Sequence, residues 1–494
     1  MNVSRRNFIK TSAAAAVTAA GGISTRAIAA AGPSLQPGPG NKWPGRVAIN
    51  FDKDAVSSSF NIDTDRVAKM VDDCILLLTD QSVIGAAWKE VFPAELSASS
   101  KIAIKTNTAN TGKPAPHWRS VRAIVDGLKS MVIDGTPFPA ENITIYDMDF
   151  MGGMATVGYN ATNFPDINVK VTELVDGDDS AFEGRGYSSV LNEADYLINV
   201  FSPRGHTYPP EGSRFTLGFK SHIGTYAEKY MPGDGKGGPD LHNPPGSGGT
   251  QDDGIYGTLM ENIRDMSCTG AVYKKNVLSV CSGIFGMDEG HGPGGEADDY
   301  STYAKTMDDS ITASTAASTT IILSTDPIAI EMQAIKMIRI NNGGGYALDD
   351  LPPYLLASGG IEGRLTGTCY NIGIIDEEQM DIRRVINGVT MIDSGRGANG
   401  IAAAPGNIVT AQQRGASTFI EFTLGQSEAR SAASVEIIAL NGKKVYAKEI
   451  SVKGARNHFS WNNRKNNGTP VPRGTYVVNI QVGKRMMTKP FVIH

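Results

Sequence analysis

The sequence predicts an α/β fold with a largely parallel sheet and flanking helices, followed by a small carboxyl-terminal β-sandwich. Three observations carry this expectation. Short apolar runs alternate with helical periods through the middle of the chain, the pattern of a sheet covered by helices. The last 78 residues carry alternating strand-like runs only. Charge divides at the same places, with a net +4 over residues 1–29, −17 over 30–416 and +8 over 417–494, although the total is only −5. Of the 494 residues 40% are hydrophobic and 20% charged, which supplies a core and excludes a wholly disordered chain. An acidic middle argues against nucleic acid as a partner, because phosphate contacts need clustered positive charge.

The elements follow in chain order. Residues 1–29 read as a targeting segment: Arg5, Arg6 and Lys10 precede a weakly apolar Ala/Thr/Gly run, and Ala27, Ile28 and Ala29 offer a small-residue cleavage site. With Arg5, Arg6, Phe8 and Lys10 in register, the segment resembles a twin-arginine signal. That resemblance implies the twin-arginine translocase as a partner during export and a periplasmic or cell-surface destination. No later run of 18 apolar residues occurs, so a soluble or surface-attached mature protein is expected. Residues 30–46, rich in Gly and Pro, read as a spacer.

Residues 47–395 read as the α/β domain. The spacing of Val67, Met70, Val71 and Cys74 predicts a helix face. Strands are expected at Lys101–Thr106, Asn142–Asp147, Val169–Leu174, Asp195–Val200, Val277–Cys281 and Thr319–Ser324. Apolar steps of three and four residues predict a helix over Trp118–Asp134. Asp326 followed by Pro327 predicts a capped helix start, running to about Ile340. Residues 396–416 read as a linker. Beyond it come strands at Thr418–Leu424, Val435–Leu440, Lys443–Ile450, Asn457–Trp461, Thr475–Val482 and Met486–Ile493, with Asn441-Gly442 as a hairpin signal.

In open α/β sheets, ligands bind outside the carboxyl ends of the strands. Those ends carry Lys105 and Asn107, Asp147, Arg204 and His206, and Asp326, so the polar residues are expected to converge at one edge. Lys105, Arg204 and Lys220 are candidate ligands for an anionic small molecule, with Asn107, Asp147 and Asp326 beside them. His206 and His222, with Lys220, are the candidate catalytic residues, because imidazoles can carry a proton near neutral pH or ligate a metal. His206, His222, His242, His291 and Asp288 form the candidate metal set, for a transition metal whose identity the spacing does not choose. The competing readings are structural: an N-cap for Asp326 and hydrogen-bonded loop positions for the histidines. The four cysteines show no Cys-x-x-Cys step, so no cysteine-ligated iron–sulfur cluster is expected. Cys268 and Cys281 are left as a candidate disulfide after export. No Gly-x-Ser-x-Gly elbow, Walker loop or His-Glu-x-x-His is present.

Ile102–Asn107, Asp195–His206, Phe215–Gly224 and Ile321–Glu331 together resemble the domain-of-unknown-function 362 family, over roughly residues 45–395. The resemblance implies an α/β domain, coupled in some members to ferredoxin-like modules whose cysteine pattern this chain lacks. Members often carry lysine where this chain has Arg204. Lys113 to His117, followed by a helix and by Glu141 to Ile145, is similar to the amino-terminal part of nickel-pincer lactate racemases. Residues Ala439–Tyr446, His458–Asn463 and Gly468–Tyr476 resemble the Ig-like domain of flagellar hook-capping proteins and the sorting domains of surface-secreted bacterial proteins. That resemblance implies an Ig-like sandwich over 417–494 that contacts the cell envelope or secretion machinery. Three functions stay open: an exported enzyme binding an anionic small molecule with a metal or cofactor, a non-catalytic envelope binding or scaffold protein, and a racemase-like enzyme with a nickel cofactor.

Overall fold

The computed structural model describes residues 34–108, 115–148, 153–177, 186–206, 214–226, 254–287, 297–312, 316–342, 351–361, 368–393, 409–414, 417–423, 432–439, 443–451, 456–482 and 485–493. Nine strands form one sheet: β1 (Arg46–Phe51), β2 (Ile102–Lys105), β3 (Ile143–Asp147), β4 (Asn168–Val171), β5 (Tyr196–Phe201), β6 (Asn276–Gly283), β7 (Thr320–Ser324), β8 (Asp381–Ile386) and β9 (Val389–Asp393). Across the sheet the order is β9-β8-β1-β7-β6-β5-β2-β3-β4. Seven strands run in one direction, while β7 and β9 run against them. The sheet is therefore mixed and mostly parallel.

Both faces are covered, which is why the central strands read as continuous apolar runs. Helices α1 (Thr64–Thr79), α2 (Ile84–Glu90) and α3 (Trp118–Lys129) cover one face through Val67, Val71, Trp88 and Ile124, against Ile102, Ile104, Ile145 and Val280. Helices α4 (Gly254–Cys268), α5 (Pro327–Asn341) and α6 (Pro353–Ser358) cover the other through Ile263, Ile335 and Leu355, against Ala103, Leu197, Phe201 and Ile322. Asp63 caps α1, its Oδ1 accepting from Asp65 N and Arg66 N at 3.1 Å each. Among the described residues no helix is long and apolar enough to cross a membrane.

Several local expectations change. The helix expected over Trp118–Asp134 stops at Lys129. Asp134 and Gly135 adopt positive φ (49° and 84°), and the chain reverses there into a short hairpin, Val132–Ile133 against Thr136–Pro137. The strand expected at Val169–Leu174 breaks after Val171, and Leu174–Val175 pairs instead with Tyr187–Ser188. Part of the expected spacer is docked: Gln36 N donates to Asn371 O at 2.6 Å, and a Cβ at Gly40 would lie 2.5 Å from Val277 Cα. The candidate disulfide does not form. All four cysteines are free thiols, and Cys268 Sγ donates to Ser358 Oγ at 3.2 Å.

The carboxyl-terminal residues form small antiparallel sheets. One contains β10 (Val409–Arg414), β11 (Ser417–Thr423) and β14 (Arg456–Trp461); the other contains β12 (Ala432–Ala439), β13 (Lys444–Ser451), β15 (Gly474–Val482) and β16 (Arg485–Ile493). β10 lies inside the stretch expected as linker, because its residues find a partner strand in β11. Ile420, Phe459 and Trp461 from the first sheet share one buried cluster with Val435, Ile437, Val478, Ile480 and Phe491 from the second. The turn at Asn441-Gly442 lies outside the described residues, although β12 and β13 pair antiparallel as expected.

Candidate functional site

Strands β2, β3 and β5 are neighbours with the same direction, so their carboxyl ends deliver Lys105, Asp147 and the Ser202–His206 segment to one edge. Lys105 ends β2, is fully buried, and its Nζ donates to Asp147 Oδ1 at 2.8 Å and to the Thr106 carbonyl. Asp147 ends β3 and is held from three more sides. Met148 N donates to Oδ1 at 2.9 Å, while Thr108 N and Thr108 Oγ1 donate to Oδ2 at 2.6 and 2.7 Å. Asn107, between them in sequence, is buried as well.

Arg204 starts a short hairpin, Arg204–His206 against Arg214–Thr216, and is 2% exposed. Its Nε has no hydrogen-bond partner among the described residues. Burial pulls the Arg204 guanidinium down to about 10, against the pull of Asp147. The Lys105 ammonium also lies below its ordinary value, mainly through burial, which outweighs the attraction of Asp147. Among the described residues, two buried cations thus face one carboxylate. Removing an ion from water costs several kcal/mol even in a relaxed protein, so this arrangement is strained in charge.

The third cation arrives on a 3₁₀ segment, Lys220–Thr225, buried along its whole length. His222 Nδ1 stands 3.2 Å from Thr225 Oγ1, which itself lies 3.2 Å from Tyr146 Oη. Burial first, and Lys105 second, push the His222 ring down to about 3. It is therefore neutral at neutral pH, suited to hydrogen bonding or ligation rather than to carrying a proton. Gly224 is where the segment meets β3: a Cβ there would come within 2.9 Å of Asp147 Oδ1. Only glycine permits that approach.

The segment is anchored by residues outside the predicted set. Asn199 on β5 donates to Gly218 O at 3.0 Å and accepts from Ser221 Oγ at 3.0 Å. Glu331 on α5 is fully buried, accepting from Tyr354 Oη at 2.9 Å and Phe219 N at 3.4 Å. Burial raises the Glu331 carboxyl to about 8, against hydrogen bonds from Tyr354, Phe219 and Gly218. A single acid inside the α5 apolar run was the available signal for it, since an unpaired carboxylate there would be costly.

The expected convergence fails for Asp326. It follows β7, which runs against its neighbours, so it emerges at the opposite edge of the sheet beside the start of β1. Its carboxylate accepts from Gly45 N (2.7 Å), Ile374 N (2.8 Å), Ile328 N (2.9 Å) and Ala329 N (3.0 Å). This is the helix cap that the Asp-Pro pair indicates, extended to tie two further loops. Burial still lifts it to about 6 against those four donors. Of the candidate metal set, only His222 has a described side chain. The His206 backbone sits in the short hairpin, and His242, His291 and Asp288 lie outside the described residues, as does Lys113. Among the described residues no group of three or more His, Cys, Asp or Glu could hold a metal ion.

Fold and site together define an α/β protein with a buried cationic cluster at the carboxyl edge of its sheet. Comparison with known proteins adds two matches. Residues 102–336 match the domain of unknown function DUF362, and residues 2–22 match the TAT (twin-arginine translocation) pathway signal sequence. The chain is thus an exported protein carrying a DUF362 domain. No curated protein matches it. Among solved structures it is similar to PorZ, an essential bacterial surface component of the type-IX secretion system of Porphyromonas gingivalis (25% identity, 15% of this chain and 9% of that chain, TM-score 0.12). It is also similar to dimeric latent PorU from the same organism (15% identity, 17% and 9%, TM-score 0.15). A third is the chicken interferon gamma receptor alpha chain (13% identity, 18% and 48%, TM-score 0.13). The chain spans less than a tenth of the first two, and likenesses of this extent carry no functional argument.

Proposed function

We propose that the α/β body, residues 47–395, is an enzyme that binds an anionic small molecule at the carboxyl edge of the sheet. The observation that carries this reading is the charge imbalance: among the described residues Asp147 is the one carboxylate set against both buried Lys105 and buried Arg204, and Arg204 Nε lacks a partner there. A bound carboxylate or phosphate would supply the missing charge and the missing acceptor. Lys220 on the adjoining segment would join in orienting it, and neutral His222 would hold a metal or hydrogen-bond the ligand. The carboxyl-terminal residues 417–494 serve as an Ig-like sorting or attachment module at the periplasmic face or cell surface. Two sheets around one core support that part, as does Tyr476 Oη donating to Pro472 O at 2.8 Å, a bond typical of Greek-key corners.

The test is thermal unfolding and calorimetric titration of the mature protein with phosphate, pyruvate and citrate. At least one anion should bind saturably and raise Tm, and Arg204→Met should weaken it by about tenfold or more. Protein that no anion stabilises, or anion binding indifferent to Arg204→Met, overturns the reading. A stoichiometric transition metal in protein purified from its native exporter, lost in the His206→Ala, His222→Ala double variant, would add the metal.

A further inference from the structure

A second concave surface lies on the α3 side of the same sheet edge. His117 N donates to Ser282 Oγ, near the end of β6, at 3.1 Å, and Ser120 Oγ stands 2.7 Å from the same oxygen. These bonds fix the start of α3 against the sheet. The cleft beside them has a volume of about 480 Å3 and is lined by Phe60, His117, Trp118, Arg119, Gly158 and Phe285, among others. Its rings form a continuous wall: Phe60 to Phe285 at 6.1 Å, Phe285 to His117 at 6.3 Å, His117 to Trp118 at 5.9 Å.

Two backbone features hold this wall in place. Gly158, at φ 93°, lets the Trp118 indole pass, since a Cβ there would sit 2.3 Å from Trp118 Cδ1. Phe60 adopts φ 59°, a left-handed conformation costly for a bulky residue, and remains 38% exposed on the rim. Strain that presents an aromatic ring to solvent next to a cleft is a recurrent mark of ligand sites. The polar groups have one sign. Among the described residues no Asp or Glu lines the cleft, although the body is strongly acidic. Arg119 lies over Trp118 with its Cζ 4.5 Å from the ring centroid, and its Nε donates to Thr64 Oγ1 at 2.8 Å. His117 accepts from Arg119 N through Nδ1 at 3.2 Å, which leaves the proton of the neutral ring on Nε2.

We infer that this cleft is a binding site for a planar aromatic ring bearing a carboxylate, separate from the Lys105 cluster. The aromatic wall takes the ring, and the Arg119 guanidinium with the His117 Nε2–H takes the anion. The probes are benzoate, cyclohexanecarboxylate and glucuronate, titrated into the mature protein by calorimetry with tryptophan fluorescence as a second readout. Benzoate should bind at one site about tenfold or more tightly than the two non-aromatic acids. Arg119→Met and Phe60→Asn should each weaken it about tenfold; asparagine tolerates the left-handed backbone, so that variant removes the ring and keeps the turn. Arg204→Met should leave benzoate binding unchanged, which separates failure of this site from failure of the other. No benzoate binding, equal binding of the three acids, tighter binding of glucuronate, or indifference to both cleft variants overturns the inference.

Discussion

Replacing Glu331 by glutamine should flatten the pH dependence of stability between about pH 4.5 and 8. The carboxyl moves from its ordinary 4.5 to about 8 on folding because α5 buries it completely. A folded value above the unfolded one means that the native state holds a proton the unfolded chain has released. Its stabilising contribution is complete below about pH 4.5 and drains away as pH rises towards 8, at up to about 1.4 kcal/mol per unit. Over the whole interval the loss has an upper bound of about 5 kcal/mol. The titratable neighbours, Tyr354 and Cys281, are both pushed above their ordinary ranges by burial and stay neutral throughout. Glutamine keeps the shape and the acceptor for the 218–219 backbone, so at pH 5 it should cost about 1 kcal/mol or less. Leucine orphans the Tyr354 hydroxyl and those backbone donors and should cost about 2–4 kcal/mol at pH 5, with a pH profile as flat as that of the glutamine variant. Urea unfolding followed by circular dichroism at pH 5, 6, 7 and 8 reads all three proteins. Parallel pH profiles for wild type and Glu331→Gln would refute a protonated Glu331, as would a glutamine variant damaged like the leucine one at pH 5.

Two further outcomes follow from buried and half-buried ion pairs. Asp147→Asn should destabilise the body by about 3–5 kcal/mol, because Lys105 loses its counter-charge in a dry site; adding Lys105→Met should recover most of that, and a double variant no better than the single would show that Asp147 acts through its backbone bonds instead. Asp166 accepts from Arg122 at 2.6 Å and from Lys129, and hydrogen bonds to Arg122 lead in holding its carboxyl well below the usual range. A lowered folded value stabilises above the unfolded pKa of about 3.9 and is lost on acidification. Asp166→Asn should therefore cost about 1 kcal/mol at pH 7, the partial exposure of the pair being discounted, with the gap closing as pH falls below about 4. Denaturant midpoints at pH 7 and 3 measure it.

About half of the candidate site is legible in the sequence. Lys105, Asp147 and Arg204 are legible because a polar residue ending an apolar run marks a strand's carboxyl end. The Phe215–Gly224 stretch contributed Lys220 and His222 through its family resemblance and its polar composition. Glu331 and Asn199 do not stand out in the sequence, since each looks like a single polar interruption of an apolar period. Their roles depend on a segment more than 100 residues away for Glu331 and about 20 for Asn199. Asp326 lies at the opposite edge from the one its sequence position suggests, for a related reason. Periodicity identifies β7 as a strand, but strand direction is set by the connections and by pairing with β1 and β6, which no local pattern records.

The chain by itself determined the export signal, the alternation that makes an α/β body, the β-rich carboxyl terminus, and the Asp326-Pro327 helix start. These are local properties, readable from side-chain period, cap chemistry and charge within a few residues. Tertiary structure alone decided which strand ends face the same way, that two buried cations face one buried carboxylate among the described residues, and that Phe60, Phe285 and the adjacent pair His117 and Trp118 meet at one cleft. Such facts arise from burial and long-range pairing, where the cost of an unmatched charge or a strained backbone depends on what the rest of the chain brings beside it.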